Sequence, residues 1–155
     1  MTGSIHSAHG RGKRAPGRWI LTACLSLWMG VVGAADNLEI SNAWIREAPP
    51  GAPTLAGYLC LNNTSDTPAT LIGVDSPAFD HVMMHLTKTV DGLARMIHQD
   101  KVVIAAKTRV CFEPGGLHLM ISAPGHRLVA GDQVKLSLRF ANGSHLHIQA
   151  PVKAP

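Results

Sequence analysis

The sequence predicts an all-β protein that folds as a single domain, either a two-sheet sandwich or a Greek-key barrel. Short runs of three to ten β-favouring residues recur along the chain. Residues typical of turns, above all Gly, Pro, Asn and Asp, separate these runs. No apolar pattern of helical period is long enough to predict a helix. Eight to ten short strands at this spacing are typical of sandwiches and barrels.

The sequence of the first half of the domain predicts five strands, and a turn or loop signal bounds each of them. The first strand ends at the segment APPGAP, because proline has no amide hydrogen to donate to a sheet. The second strand alternates, with Leu59 and Leu61 on one face and Cys60 on the other. The segment SPAFD predicts a turn before the fourth strand, and Asp91–Gly92 predicts a hairpin turn after it. These strands are expected at residues 38–47, 55–63, 69–76, 81–88 and 93–99.

The second half predicts five more strands by the same reasoning. Turn dipeptides and tripeptides of Pro, Gly and Asn separate the last three of them. These strands are expected at residues 102–104, 108–113, 117–122, 134–140 and 145–152. Because no internal repeat and no linker interrupts the pattern, one domain is predicted to cover residues 36–155.

The first 35 residues have the pattern of a cleaved signal peptide. Four basic residues and no acidic residue precede an apolar run of fourteen residues, and small residues follow it. The apolar run is too short to span a bilayer comfortably. The segment LTAC, which ends at Cys24, resembles a bacterial lipobox, but only three apolar residues precede it. The sequence therefore predicts export to the periplasm and a mature domain that does not span the membrane.

The charge and the cysteines of the mature domain limit its function. Four of the 14 Lys and Arg residues lie in the signal peptide, which leaves ten against the ten Asp and Glu residues that follow it. A nearly neutral domain without a clustered basic face does not predict a nucleic-acid partner. Cys60 and Cys111 either form a disulfide in an oxidising compartment or remain two separate small buried side chains, and the sequence leaves both possibilities open.

A repeating His/Met pattern predicts a metal site. It consists of His85 and Met96, separated by ten residues, followed after twenty-one residues by His118 and Met120. His118 and Met120 lie two residues apart on one strand, so both side chains project from one face. If the strands carrying His85 and Met96 form a hairpin, these two residues can come into register near its base. Thioether sulfur favours Cu(I), so copper is the first candidate, ahead of zinc or a Met-rich core.

Around these four residues the sequence resembles the PCuAC family of periplasmic copper chaperones. The spacing of all four ligands agrees, as do the segments NAWIREAPPGAPTLAGYLCLNN, VDG and PGGLHLM. The resemblance covers about residues 38–152. It implies a cupredoxin-like Greek-key β-sandwich that binds Cu(I) through His85, Met96, His118 and Met120. It also implies delivery of copper to an accepting protein, such as a cytochrome c oxidase subunit or another copper chaperone.

The chain departs from the family pattern at several positions. Met83 and Leu86 replace acidic residues that are common in the family beside the first His, and the chain lacks a His/Met-rich tail. His145 and His147 share one strand face and form a candidate weak Cu(II) or zinc site, or two solvent-facing side chains. His98 and His126 are expected to be surface residues.

Two alternative functions remain open at the level of sequence. A blue-copper electron-transfer protein requires a Cys thiolate, but the spacing from Cys111 to His118 and Met120 does not fit a single ligand loop. A metal-free exported structural sandwich is the second alternative. The sequence has no nucleophile elbow, HExxH motif or paired-carboxylate signature, so an enzyme is not predicted.

Overall fold

The computed structural model describes residues 37–124 and 127–154, and these residues form ten strands without an α-helix. The predicted signal peptide at residues 1–35, the lipobox-like segment at Cys24 and His126 lie outside the described residues. No helix in the described part of the chain has the length and apolar character needed to cross a membrane. The strands are β1 (Leu38–Arg46), β2 (Thr54–Asn63), β3 (Ala69–Asp75), β4 (Phe79–Val90), β5 (Leu93–His98), β6 (Val102–Ile104), β7 (Arg109–Phe112), β8 (Leu117–Pro124), β9 (Gln133–Phe140) and β10 (His145–Lys153).

The strands follow one hydrogen-bonded path that forms two sheets. The first half of the path is β5-β4-β8-β2-β1, with β7 also paired to β2, and the second half is β10-β9-β3-β6. The parallel pair β1–β10 joins the two halves. The predicted Greek-key β-sandwich is confirmed, and all ten predicted strands occur. Strand β5 stands at one end of the path, so one of its edges has no neighbouring strand among the described residues.

The core lies between the two sheets. Alternate residues of β9 are buried, which is the period-2 pattern of a strand with one face on the core. Ile45 and Leu119 from the first sheet and Leu71 and Leu138 from the second are fully buried members of a single hydrophobic cluster. Met84 on β4 also belongs to this cluster. This agrees with the sequence, in which Met84 falls on the other face of the strand from Met83 and His85.

Three strand limits differ from the prediction by two residues, including the end of β4 at Val90, and all other limits agree within one residue. Strand β4 begins at Phe79, inside the segment SPAFD that was predicted as a turn, because the Phe79 ring packs into the core. Strand β8 continues to Pro124, whose backbone pairs with Phe79. A proline at the last position of a strand removes only one donor from the end of the hydrogen-bond ladder. Strand β8 therefore includes Pro124 and ends two residues later than predicted.

Cys60 and Cys111 form a disulfide, which resolves the alternative that the sequence left open. The two residues lie directly opposite each other in the antiparallel pair β2–β7, with their Cα atoms 4.1 Å apart. The bond joins residues 51 positions apart. It therefore encloses β3, β4, β5 and β6, including the hairpin that carries His85 and Met96, in one covalent loop.

Candidate metal centre

The register between β4 and β8 places two histidines and two methionines in a block on one face of the first sheet. His85 lies directly opposite His118, and Met83 lies directly opposite Met120. Residues that face each other in a ladder project to the same side, and so do residues two apart on one strand. The prediction that His118 and Met120 share a strand face is confirmed. Met84, between the two positions on β4, points into the core.

The β4–β5 hairpin brings Met96 to this face, but in a different register from the one predicted. Val90 pairs with Leu93 across a two-residue turn, in which Asp91 and Gly92 both have positive φ, 54° and 77°. Both positive φ values are the signature of a type I′ turn, which fixes the pairing of the strands that follow. Counting back from this turn, Met96 lies opposite Thr87. Met96 is therefore diagonal to His85 rather than directly paired with it.

The residue that directly opposes His85 on β5 is His98, which was expected to be a surface residue. Its ring is perpendicular to that of His85, with the centroids 5.5 Å apart. On the other side of His85, the His118 ring is also perpendicular, at 5.9 Å. The structure thus places three imidazoles in a row across β5, β4 and β8. Counting from the Asp91–Gly92 turn would have predicted the position of His98 from sequence alone.

Three of the four predicted ligands line one surface cleft of about 260 Å³. Met96, His118 and Met120 line this cleft together with residues of β1, β2 and the loop after β1. His85 is not among its lining residues, but it borders the site through its pairing with His118. Met96 is 64% exposed, so its thioether has room to move. Met83 is half-buried beside Met120 and is a thioether that the sequence analysis did not include in the ligand set.

The hydrogen bonding of two imidazoles fits metal ligation. Nδ1 of His118 lies 3.1 Å from the carbonyl oxygen of Gly116, a contact that leaves Nε2 free when Nδ1 carries the hydrogen. Metal-ligating histidines commonly donate their second ring nitrogen to a carbonyl or carboxylate in this way. Nδ1 of His85 is buried and has no hydrogen-bond partner among the described residues. An unpaired buried polar atom is costly, and coordination of an ion would satisfy it.

The electrostatic environment keeps His85 neutral. Burial lowers the pKa of His85 below its usual value of 6.5, and repulsion from His118 and His98 lowers it further. A neutral imidazole has a lone pair available for a metal. The one carboxylate that lines the cleft, Glu47, accepts a hydrogen bond from the Ala130 amide and lies 3.8 Å from the Arg127 guanidinium. The donors that face the cleft from β5 and β8 are therefore uncharged thioethers and imidazoles.

His145 and His147 lie on β10, outside this site. Their ring centroids are 6.5 Å apart, as expected for two residues on the same strand face. Within residues 37–124 and 127–154, no three His, Cys, Asp or Glu side chains are grouped closely enough to hold a metal as they stand. The prediction of a weak Cu(II) or zinc site at this pair stays a prediction.

Comparison with known sequences gives the family. The family model described as “Putative lipoprotein LpqE-like” matches residues 38–152. The “Putative lipoprotein Lxx21020” of Leifsonia xyli subsp. xyli is 31% identical over 120 residues, which cover 77% of this chain and 71% of that protein. The “Uncharacterized protein RP573” of Rickettsia prowazekii is 26% identical over 129 residues, which cover 76% and 71%.

Solved structures with the same fold include two with bound copper. The copper-bound PCuAC domain from PmoF2 is 26% identical, with a TM-score of 0.65, and the match covers 77% of this chain and 94% of that domain. The solution structure of CuI-DR1885 from Deinococcus radiodurans is 28% identical, with a TM-score of 0.61, and the match covers 78% and 83%. The chain therefore belongs to the LpqE-like family and has the fold of the PCuAC copper-binding domains.

Proposed function

We propose that this protein is a periplasmic copper chaperone, which binds one Cu(I) ion and passes it to a copper-accepting protein. The proposed ligands are His85, Met96, His118 and Met120. The observation that supports the proposal is the placement of two imidazoles and two thioethers on one sheet face, with Met96, His118 and Met120 lining an open cleft. The acceptor class is a protein copper centre, such as that of cytochrome c oxidase, or another copper chaperone.

The donor set favours a soft monovalent ion. Thioethers bind Cu(I) well and contribute little to harder ions, which prefer carboxylate and water oxygens. The unpaired Nδ1 of His85 supplies a further reason for an ion at this position. The copper-bound and Cu(I)-bound relatives support the same cargo for this chain.

The exposure of the donors favours transfer over storage. Met96 stands on the strand at the end of the sheet path and is mostly exposed, so an acceptor can reach it and replace it as a ligand. None of the four donors carries a negative charge that would hold copper by strong electrostatic attraction. The disulfide and the predicted leader both fit an oxidising compartment outside the cytoplasm.

The blue-copper alternative lacks its thiolate in the part of the chain that the structure describes. Cys60 and Cys111 are bonded to each other, so neither offers a free thiolate to a copper ion. A blue-copper site requires one Cys thiolate with two imidazoles. The proposed chaperone uses two thioethers instead, and its copper complex should not turn intensely blue on oxidation.

Metal analysis of protein loaded with Cu(I) under anaerobic conditions tests the proposal. We expect one copper per chain, with X-ray absorption that contains both sulfur and nitrogen scatterers. A second incubation, with an apo copper-acceptor protein, should transfer the metal without a chelator. Only nitrogen and oxygen donors in the absorption spectrum would contradict the ligand set, and copper that stays with the protein would contradict the chaperone role.

The affinity for Cu(I) should depend weakly on pH above about 6.5, the ordinary pKa of histidine. Protons compete with copper for the imidazole lone pairs, so affinity falls as pH falls through each histidine's pKa. Because the pKa of His85 is lowered by burial and by the neighbouring His118 and His98, its contribution should persist below pH 6.5. Competition with a Cu(I) chelator between about pH 5 and 8 measures this profile.

The control for this pH profile is the double variant Cys60→Ala/Cys111→Ala. It should have the same profile as the wild type, because the bonded cysteines supply no titrating thiol. A steep gain in affinity above neutral pH that disappears in the double variant would mean that a thiolate binds the copper. The four-donor model would then be wrong.

A further inference from the structure

We propose that the row formed by His98, His85 and His118 is a second, nitrogen-only set of donors that binds Cu(II). This inference rests on the proposed function in one respect, because His85 and His118 are also proposed ligands of Cu(I). The new element is His98, which neither the His/Met spacing nor the cleft includes.

The geometry of the row is the first argument. His98 and His118 both lie directly opposite His85, on its two neighbouring strands. The ring centroids of adjacent histidines are 5.5 and 5.9 Å apart. Imidazoles that share an ion at Zn–N or Cu–N bond lengths near 2 Å have centroids at roughly this separation. Each adjacent pair of rings is therefore close to the spacing of two ligands on one ion.

The polar contacts of the three rings are the second argument. Nε2 of His98 lies 3.3 Å from Oδ1 of Asp100, which is a charge contact without hydrogen-bond geometry. The Gly116 carbonyl oxygen lies 3.1 Å from Nδ1 of His118 and leaves Nε2 of His118 free. His85 has a buried Nδ1 without a partner among the described residues. Each ring thus has a nitrogen available, and the His118 ring is oriented by a carbonyl oxygen, as in known metal sites.

The arrangement favours Cu(II) over Zn(II). A given set of nitrogen donors binds Cu(II) more tightly than Zn(II), by the general order of affinities of the first-row divalent metals. Imidazole is also a better donor than thioether for the harder, divalent ion. Three imidazoles leave the fourth position of the ion to water.

Assembly of the set requires His98 to rotate. The three rings do not converge on one point in their present orientations. The His98 side chain is 53% exposed and stands on a strand with one free edge, so its rotation meets little packing resistance. Because the two donor sets share His85 and His118, one site holds either Cu(I), with Met96 and Met120, or Cu(II), with His98.

The test compares three variants by electron paramagnetic resonance and by Cu(II) competition titration. His98→Gln removes the new ligand, and Met120→Leu removes a thioether that only the Cu(I) set uses. His147→Gln is the matched control, because His147 belongs to the other histidine pair of the described residues. Each variant is also titrated with Cu(I), so that the two donor sets are assessed separately.

In the wild type, one Cu(II) per chain should show hyperfine coupling to three imidazole nitrogens. His98→Gln should lose one nitrogen and weaken Cu(II) by roughly 10- to 100-fold, at least the range for losing a partner of a metal ligand. It should leave Cu(I) affinity nearly unchanged, and Met120→Leu should do the reverse. His147→Gln should leave the Cu(I) affinity and the three-nitrogen Cu(II) signal unchanged, and should affect only any weaker Cu(II) binding at the separate His145/His147 pair.

An unchanged Cu(II) spectrum and affinity in His98→Gln would overturn the inference, as would loss of the Cu(II) signal in His147→Gln alone. Failure of the proposed function has a different signature, because the wild type would then bind no Cu(I) through sulfur, whatever His98→Gln does to Cu(II).

Discussion

Replacing His85 or His118 with alanine should weaken binding of both Cu(I) and Zn(II), and the loss should exceed the roughly 10- to 100-fold that follows from losing an outer partner of a metal ligand. Imidazole is a good ligand for both ions, so its removal does not discriminate between them. The two residues face each other across β4 and β8, and each should therefore produce a loss of similar size. Competition titrations against a chelator for each metal measure the two affinities.

Alanine at Met96 or Met120 should have a selective effect. Thioethers bind Cu(I) but contribute little to zinc, so Cu(I) affinity should fall far more than Zn(II) affinity. The matched control is Met84→Leu, which keeps the side-chain volume at a buried position on the opposite face of β4 and should change neither affinity. Equal losses for both metals in the Met96 and Met120 variants would mean that these side chains act by packing and not as ligands.

Met83→Leu distinguishes between the two thioethers that can complete the site. Met83 directly opposes Met120, whereas Met96 reaches the site from the end strand of the sheet. With Met96 as the ligand, Met83→Leu should leave Cu(I) affinity close to that of the wild type. If Met83→Leu weakens Cu(I) and Met96→Ala does not, the second sulfur donor is Met83 and the predicted ligand set is wrong at that position.

The strands could be predicted from sequence because each depends on local features. The alternation along β9 and the Gly, Pro and Asn residues between runs act over a few residues only. The shared face of His118 and Met120 also followed from local geometry, because a spacing of two residues on a strand is sufficient. The start of β4 at Phe79 was missed, because burial of that ring in the core outweighs the turn preference of its neighbours.

The arrangement of the site depends on the register of two strand pairs. A short turn sets the register of β4 with β5, whereas no short connection sets the register of β4 with β8. The two-residue turn at Asp91–Gly92 determines that His98 faces His85, so this position was predictable in principle. The pairing of His85 with His118 joins strands separated by a long stretch of chain, and no turn length determines it. Core packing decides that register, since a shift by one residue would move every side chain of β4 to the wrong face.

The disulfide illustrates the same limit, because the positions of two cysteines in a sequence do not reveal the distance between them. In the structure, Cys60 and Cys111 oppose each other across β2 and β7. Strand β7 has only four residues and pairs with β2 alone among the described strands. The covalent bond therefore reinforces a short strand that few hydrogen bonds hold in place.

The double variant Cys60→Ala/Cys111→Ala should lose about 4 kcal/mol of unfolding free energy, because the bond closes a loop between residues 51 positions apart and so restricts the unfolded chain. Urea unfolding of the variant and of oxidised and reduced wild type measures the loss, and the reduced wild type should resemble the variant. Below its unfolding midpoint, the variant should still bind one Cu(I), because neither cysteine is a proposed ligand. An unfolding free energy within about 1 kcal/mol of the oxidised wild type would show that strand pairing and core packing, and not the cross-link, hold β7 in place.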